Sequence, residues 1–168
     1  MSRAAWHKLA FSGAVMSATA PALAAEHPAI AAFTAYCFKA GQTAEDARAN
    51  MEKAAGTPLP FALEFWDTSL EPAPSAPAFS ERRCEVSFAG DHAADAVQAV
   101  QAKMATPPVF GTPLPLPDPF AATPGTSYIE ARELLRQRVA VVHIGTRADG
   151  AETFIRVDRL PAGQGLPS

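Results

Sequence analysis

The chain has 168 residues, with fourteen basic and seventeen acidic side chains and a net charge of −3 when histidine is neutral. That length is one domain's worth, enough to bury a core without metals or many disulfides. The acidic balance argues against nucleic acid as a partner.

The chain opens on a segment that reads as an export signal. Arg3 and Lys8 form a short basic head, and no charged residue follows until Glu26. The run from Leu9 is long enough for a signal-peptide core but short of the roughly 20 apolar residues that span a bilayer. Pro21-Ala22-Leu23-Ala24 supplies the small residues that a signal peptidase reads, which predicts cleavage after Ala24; the alternative is an uncleaved N-terminal anchor. No cysteine follows the site, which argues against a lipid anchor there. Residues 1–24 are therefore set aside as a signal peptide, and residues 25–168 are expected to form a single domain with no stable membrane span. Losing Arg3 and Lys8 leaves twelve basic against seventeen acidic residues, a balance of −5. Ten arginines against four lysines, in an alanine-rich chain, suggest a bacterium of high genomic GC content, and so the periplasm.

The first predicted helix runs from about His27 to Lys39, with Pro28 tolerated in its first turn and Gly41 ending it. Ile30, Phe33 and Cys37 recur along it at helical spacing. Thr43 and Asp46 form a capping pattern for a second helix, stopped by Gly56, with Ala44, Ala47, Met51 and Ala54 as its inner stripe. From Leu59 to Trp66, Phe61, Leu63 and Phe65 alternate with Ala62, Glu64 and Trp66, the pattern of a strand with one apolar face. A proline-rich loop, Glu71 to Ser80, leads to a strand over Arg82–Phe88 in which Cys84, Val86 and Phe88 alternate. Gly90-Asp91 then starts a third helix on Ala93, Val97, Val100 and Met104.

The two cysteines, Cys37 and Cys84, each lie on the apolar side of their element, and an even count in an oxidising compartment predicts one disulfide. Such a bridge pins the first helix onto the sheet. Closing 47 positions of chain is worth about 4 kcal/mol in the chain-entropy model.

Residues 106–125 carry seven prolines, among them Pro113, Pro115, Pro117 and Pro119 at alternate positions. The expectation is a stiff, exposed, polyproline-like connector. Beyond it, Val139–Ile144 and Thr153–Val157 flank the turn signal Asp149-Gly150 and predict a hairpin. Tyr128–Gln137 is ambiguous between helix, on the Ser127/Glu130 capping pattern, and strand; strand is preferred, giving an antiparallel meander over about 128–135, 139–145 and 152–158. The expected fold is α+β, an antiparallel sheet of four to five strands with two to three helices packed on one face and one disulfide.

No set of residues specifies a reaction. There is no Gly-x-Ser-x-Gly, no Ser-x-x-Lys, no phosphate loop and no close Cys-x-x-Cys pair. His27, His92 and His143 lack the short spacings of a metal site, so neither metal nor cofactor is predicted. His92 reads as an exposed first-turn helix residue. Glu64 and Glu85 read as solvated charges on the outer sheet face, and the C-terminal arginines, nearly balanced by acids, as a salt-bridged sheet surface with anion binding the lesser option.

With no residue set that specifies a reaction, a small binding or interaction module, which asks little of the sequence, is favoured over an enzyme, its partner a periplasmic protein or a small ligand. The candidate interaction surface combines Trp66, Arg132, Arg136 and Arg138 with the proline residues Pro113, Pro115 and Pro117, since aromatic and arginine side chains dominate interface energetics. The alternative is a periplasmic enzyme with an unrecognised site near His143, which reads more simply as a satisfied cross-strand histidine.

Overall fold

The structure is a computed structural model describing residues 26–106 and 109–166. The expected signal peptide and its cleavage site lie outside the described residues. Six antiparallel strands form one sheet: β1 (Ala62–Asp67), β2 (Arg82–Ala89), β3 (Phe110–Leu114), β4 (Thr126–Leu134), β5 (Arg138–Arg147) and β6 (Glu152–Arg159), in the spatial order β1-β2-β6-β5-β4-β3. The α+β class, the β4-β5-β6 meander and the strand over the ambiguous segment are as expected.

Three helices cover one face. α1 (Pro28–Ala32) is initiated by His27, whose Nδ1 accepts the Ala29 N–H at 3.2 Å, and continues over Phe33–Cys37 as a wider π-helical turn. α2 (Ala44–Ala55) begins with a full capping box: Thr43 Oγ1 accepts from Asp46 N at 3.1 Å, and Asp46 Oδ2 accepts from Thr43 N at 3.2 Å. Ala47 and Met51 are its buried residues; Ala44 and Ala54, expected on the inner stripe, are exposed. The core seam of α2 is thus narrower than its alanine pattern suggested. α3 (Ala93–Met104) buries Ala93, Ala96, Val100 and Met104. Asp91 Oδ1 accepts from Ala93 N at 3.2 Å, while His92 is half-buried, its ring 4.9 Å from that of His27 and 5.6 Å from Phe88.

The core lies between these helices and the inner sheet face, where Cys84, Val86 and Phe88 of β2 meet Ile155 and Val157 of β6 and Ala140, Val142 and Ile144 of β5. The Cys37–Cys84 disulfide ties the first helical segment to β2, across a sequence separation of 47. No helix among the described residues is long and apolar enough to cross a membrane.

Two expectations fail in the proline-rich segment. It contributes a sixth strand, β3, paired with β4 through Pro113↔Arg132 and Leu114↔Ala131. A sheet tolerates proline on an edge strand because one row of N–H groups there faces away from the ladder. The segment is also not a bare connector. Leu114 and Phe120 fold back on the outer sheet face, packing with Leu166 against Ala131, Val139, Val141 and Leu160 as a second, smaller core. Alternate prolines prevent a helix, but they do not prevent the intervening apolar side chains from finding a surface to cover.

Candidate functional site

Strand alternation that points Phe65, Cys84 and Val157 into the core points Asp67, Arg82 and Arg159 the same way two residues along. Register lines them up across three strands: Asp67 faces Arg82, Arg82 faces Arg159, and Arg159 faces Ala140 of β5. At this end of the sheet the inner face is therefore floored by charge. Arg82 is only 5% exposed and Asp67 only 2%.

Asp67 is bound by its own surroundings, mostly through Oδ1. Its Oδ1 accepts from Ser69 N at 3.1 Å and from the Ser69 hydroxyl, and both carboxylate oxygens accept from Arg159 Nη2, at 2.9 and 3.1 Å. Arg82 is left at the margin: its Nε is 3.8 Å from Asp67 Oδ2, beyond a hydrogen bond, and its guanidinium lies 4.9 Å from the centre of the Phe65 ring. Arg82 Nε and Nη2 and Arg159 Nε are buried with no hydrogen-bond partner among the described residues. Burial, then the neighbouring Arg159, pull the Arg82 pKa down to about 10 against the opposing attraction of Asp67. It still carries its charge at neutral pH, in a setting that does not fully solvate it.

Above this floor opens a cavity of about 430 Å³, within the range of small-molecule sites. Arg82, Arg136, Arg138 and Arg159 contribute its charge, and no carboxylate is among its lining residues. The opposite wall is apolar: Phe38, which follows the π-helical turn, meets Phe110 of β3 edge-on at 5.0 Å, with Leu134, Val109 and Leu135 toward the rim. Arg138 is held by Glu81 and Arg159 Nε lies 3.4 Å from the same carboxylate, so the acids stand behind the arginines and not in the cavity.

The chain matches no protein-family model, no curated protein and no solved structure. Geometry and chemistry alone carry the assignment of this pocket.

The residues expected to form one interaction surface are spread over the molecule. Arg136 and Arg138 line the pocket. Trp66 lies half-buried on the outer face of edge strand β1, its Nε1 donating to Glu64 Oε1 at 3.2 Å and the Arg83 guanidinium 5.5 Å from its ring. Pro113 is on β3, at the opposite sheet edge, beside Arg132, which is paired with Glu130 and donates to the Gly111 carbonyl at 3.3 Å. Pro115 and Pro117 border a separate hollow with Phe79, Leu160 and Leu166. Sheet order is the reason: β1 and β3 are adjacent to nothing in common, whatever their spacing in the chain.

His143 is a cross-strand histidine on the outer face, 4% exposed. Arg156 Nη2 is 2.9 Å from its Nδ1 and Thr126 Oγ1 is 2.8 Å from its Nε2. An arginine can only donate, so Nδ1 is an acceptor and the neutral ring carries its proton on Nε2, where it donates to Thr126. That polarity is the reverse of a base activating a hydroxyl nucleophile. Burial, then Arg156, with Arg147 adding and Asp158 opposing, lower the His143 pKa and keep the ring neutral. Thr126 reaches it because Gly125 and Gly145 let β4 and β5 close up; a Cβ on Gly145 would sit 2.5 Å from the Gly125 carbonyl oxygen. Glu85, expected to be solvated, is only 7% exposed and lies under Arg147, at 2.6 Å, and Arg156, at 3.6 Å. The outer face is a knitted ion-pair layer with Asp158 and Arg83, paired at 3.0 Å, as a second node. Among the described residues no three His, Cys, Asp or Glu side chains gather into a metal site.

Arg82 and Arg159 carry a signal in the sequence, the strand parity they share with Cys84 and Val157. The alternation that assigns Cys84 to the apolar face assigns Arg82 to it as well, and a strand that turns an arginine inward twice, on neighbouring strands, marks a buried cationic floor.

Proposed function

We propose that this chain is an exported, non-catalytic binding module of the bacterial periplasm, and that it takes a small ligand in the arginine-floored pocket. The observation that carries this reading is the cavity itself, which has the register-paired Arg82 and Arg159 in its floor, apolar side chains for its far wall, and no carboxylate among its described lining residues. Arginines directly opposite on neighbouring strands repel one another, so a pocket floored by the pair Arg82 and Arg159 gains when an anion arrives. Export rests on the basic head, apolar run and small-residue site of residues 1–24. The reading of an enzyme centred on His143 has weaker support, because both ring nitrogens are engaged and the proton on Nε2 points at the Thr126 hydroxyl.

The test is mass spectrometry of the protein purified from its own periplasm. A denatured, non-reduced mass equal to residues 25–168 less two hydrogens is expected, with a native spectrum that shows a non-covalent adduct absent from an Arg82→Met variant. A full-length, reduced chain would overturn export. A native spectrum without adduct, in protein purified without detergent or extensive dialysis, would count against the ligand-binding reading.

A further inference from the structure

We infer that the pocket's ligand is an amphiphile with one anionic head, a carboxylate or a phosphate, on a short apolar chain, the head seated on Arg82 and Arg159 and the chain against Phe38, Phe110 and Leu134. This inference rests on the binding-module reading and adds the chemical class of the ligand.

Like charges placed directly opposite on neighbouring strands repel, and Arg82 and Arg159 are register partners on the inner face. Asp67 resolves half of the conflict: it accepts two hydrogen bonds from Arg159 but none from Arg82. The group that would complete the floor is a second acceptor with negative charge, able to take N–H groups from a guanidinium in its plane, as carboxylate and phosphate oxygens do. A cation is repelled here. A neutral sugar brings no charge to offset the paired arginines, and no carboxylate among the described lining residues accepts from its hydroxyl groups.

Size and the far wall decide the rest of the ligand. Phe38, Phe110 and Leu134 pack against the main core on one side and line the cavity on the other, and a bare inorganic anion would leave those cavity-facing sides uncovered. Leu135 is 64% exposed and Val109 43% exposed, at the rim of the same cavity; apolar groups held in water at the mouth of a pocket gain when a chain covers them. Charge at one end and apolar surface at the other is the arrangement an anionic amphiphile requires.

Isothermal titration of the mature protein with octanoate, octyl phosphate, octanol, acetate and inorganic phosphate separates the contributions. Octanoate or octyl phosphate is expected to bind at least about tenfold more tightly than octanol, the scale of a charge-assisted hydrogen bond, and more tightly than acetate or inorganic phosphate. Which of the two long-chain probes binds better identifies the head. Arg82→Met should remove the preference over octanol. Leu135→Glu, a change on an exposed turn that the fold does not depend on, should weaken both long-chain anions while a thermal melt stays unchanged. Octanol binding as well as octanoate, with Arg82→Met silent, would overturn the anionic head and leave the binding module standing. Inorganic phosphate binding as tightly as octyl phosphate would overturn the apolar chain. Failure of all five probes would overturn the inference, and the native adduct described above would then decide the binding-module reading separately.

Discussion

His143 shows how far the surroundings of one residue set its chemistry. An unperturbed histidine takes a proton near pH 6.5; in the fold, burial first, then Arg156 and Arg147 against Asp158, lower that affinity. Below about pH 6.5 the unfolded chain therefore binds more protons than the folded one, so the contribution of His143 is whole above that pH and is lost as pH falls toward the folded value. His27, whose pKa is lowered by burial and by His92, adds to the same slope. Denaturant melts on either side of that pH are expected to show acid destabilisation, and His143→Gln, which can still donate to Thr126, should make the slope shallower. An unchanged slope in the variant would show that His143 titrates alike in both states. The core role of His143 was legible from its place in an apolar strand, but its partners were not, because Arg156 and Thr126 reach it through register and a close approach of two glycines. Arg82 is the opposite case: its inward direction was written in the alternation with Cys84, while its distance from Asp67, 3.8 Å from Nε to Oδ2, is set by the positions of three strands.

At the scale of elements, the disulfide is the strongest single tie. Cys37 sits at the end of the π-helical turn and Cys84 two residues inside β2, so the bridge holds the first helical segment over the sheet and forms part of the pocket lining beside Phe38. Replacing both cysteines with alanine is expected to cost about 4 kcal/mol, read as a lowered denaturant midpoint with a steeper slope, because the unfolded chain freed of its cross-link exposes more surface; a loss below about 1 kcal/mol would mean that helix packing alone holds the segment. The pairing could be read from cysteine count, compartment and helical spacing together. The edge strand β3 could not, since Pro113 argues against a strand until its place at the sheet edge is known.

For the whole molecule, the sheet order sets a gradient of stability. β5 and β6 are central and almost continuously buried, whereas β1 and β3 are edges with exposed or half-exposed residues along most of their length. Amide exchange is expected to be slowest in Val139–Ile144 and Thr153–Val157 and fastest in β3 and the loops around it; fast exchange in β5 would contradict the described order. Since β3 carries Phe110, one wall of the pocket belongs to an edge strand, while Arg82 and Arg159 lie on the interior strands β2 and β6. The amino-acid sequence by itself determined the class, the places of the helices, the Thr43–Asp46 cap, the meander and the disulfide, because each depends on periodicity or on residues near one another in the chain. Only the tertiary structure decided that Trp66 and Pro113 stand at opposite edges, that Leu114 and Phe120 cover the outer face, and that Arg82, Arg138 and Arg159 meet over one cavity. Those outcomes depend on strand order and register, which join residues tens of positions apart and leave no local pattern in the chain.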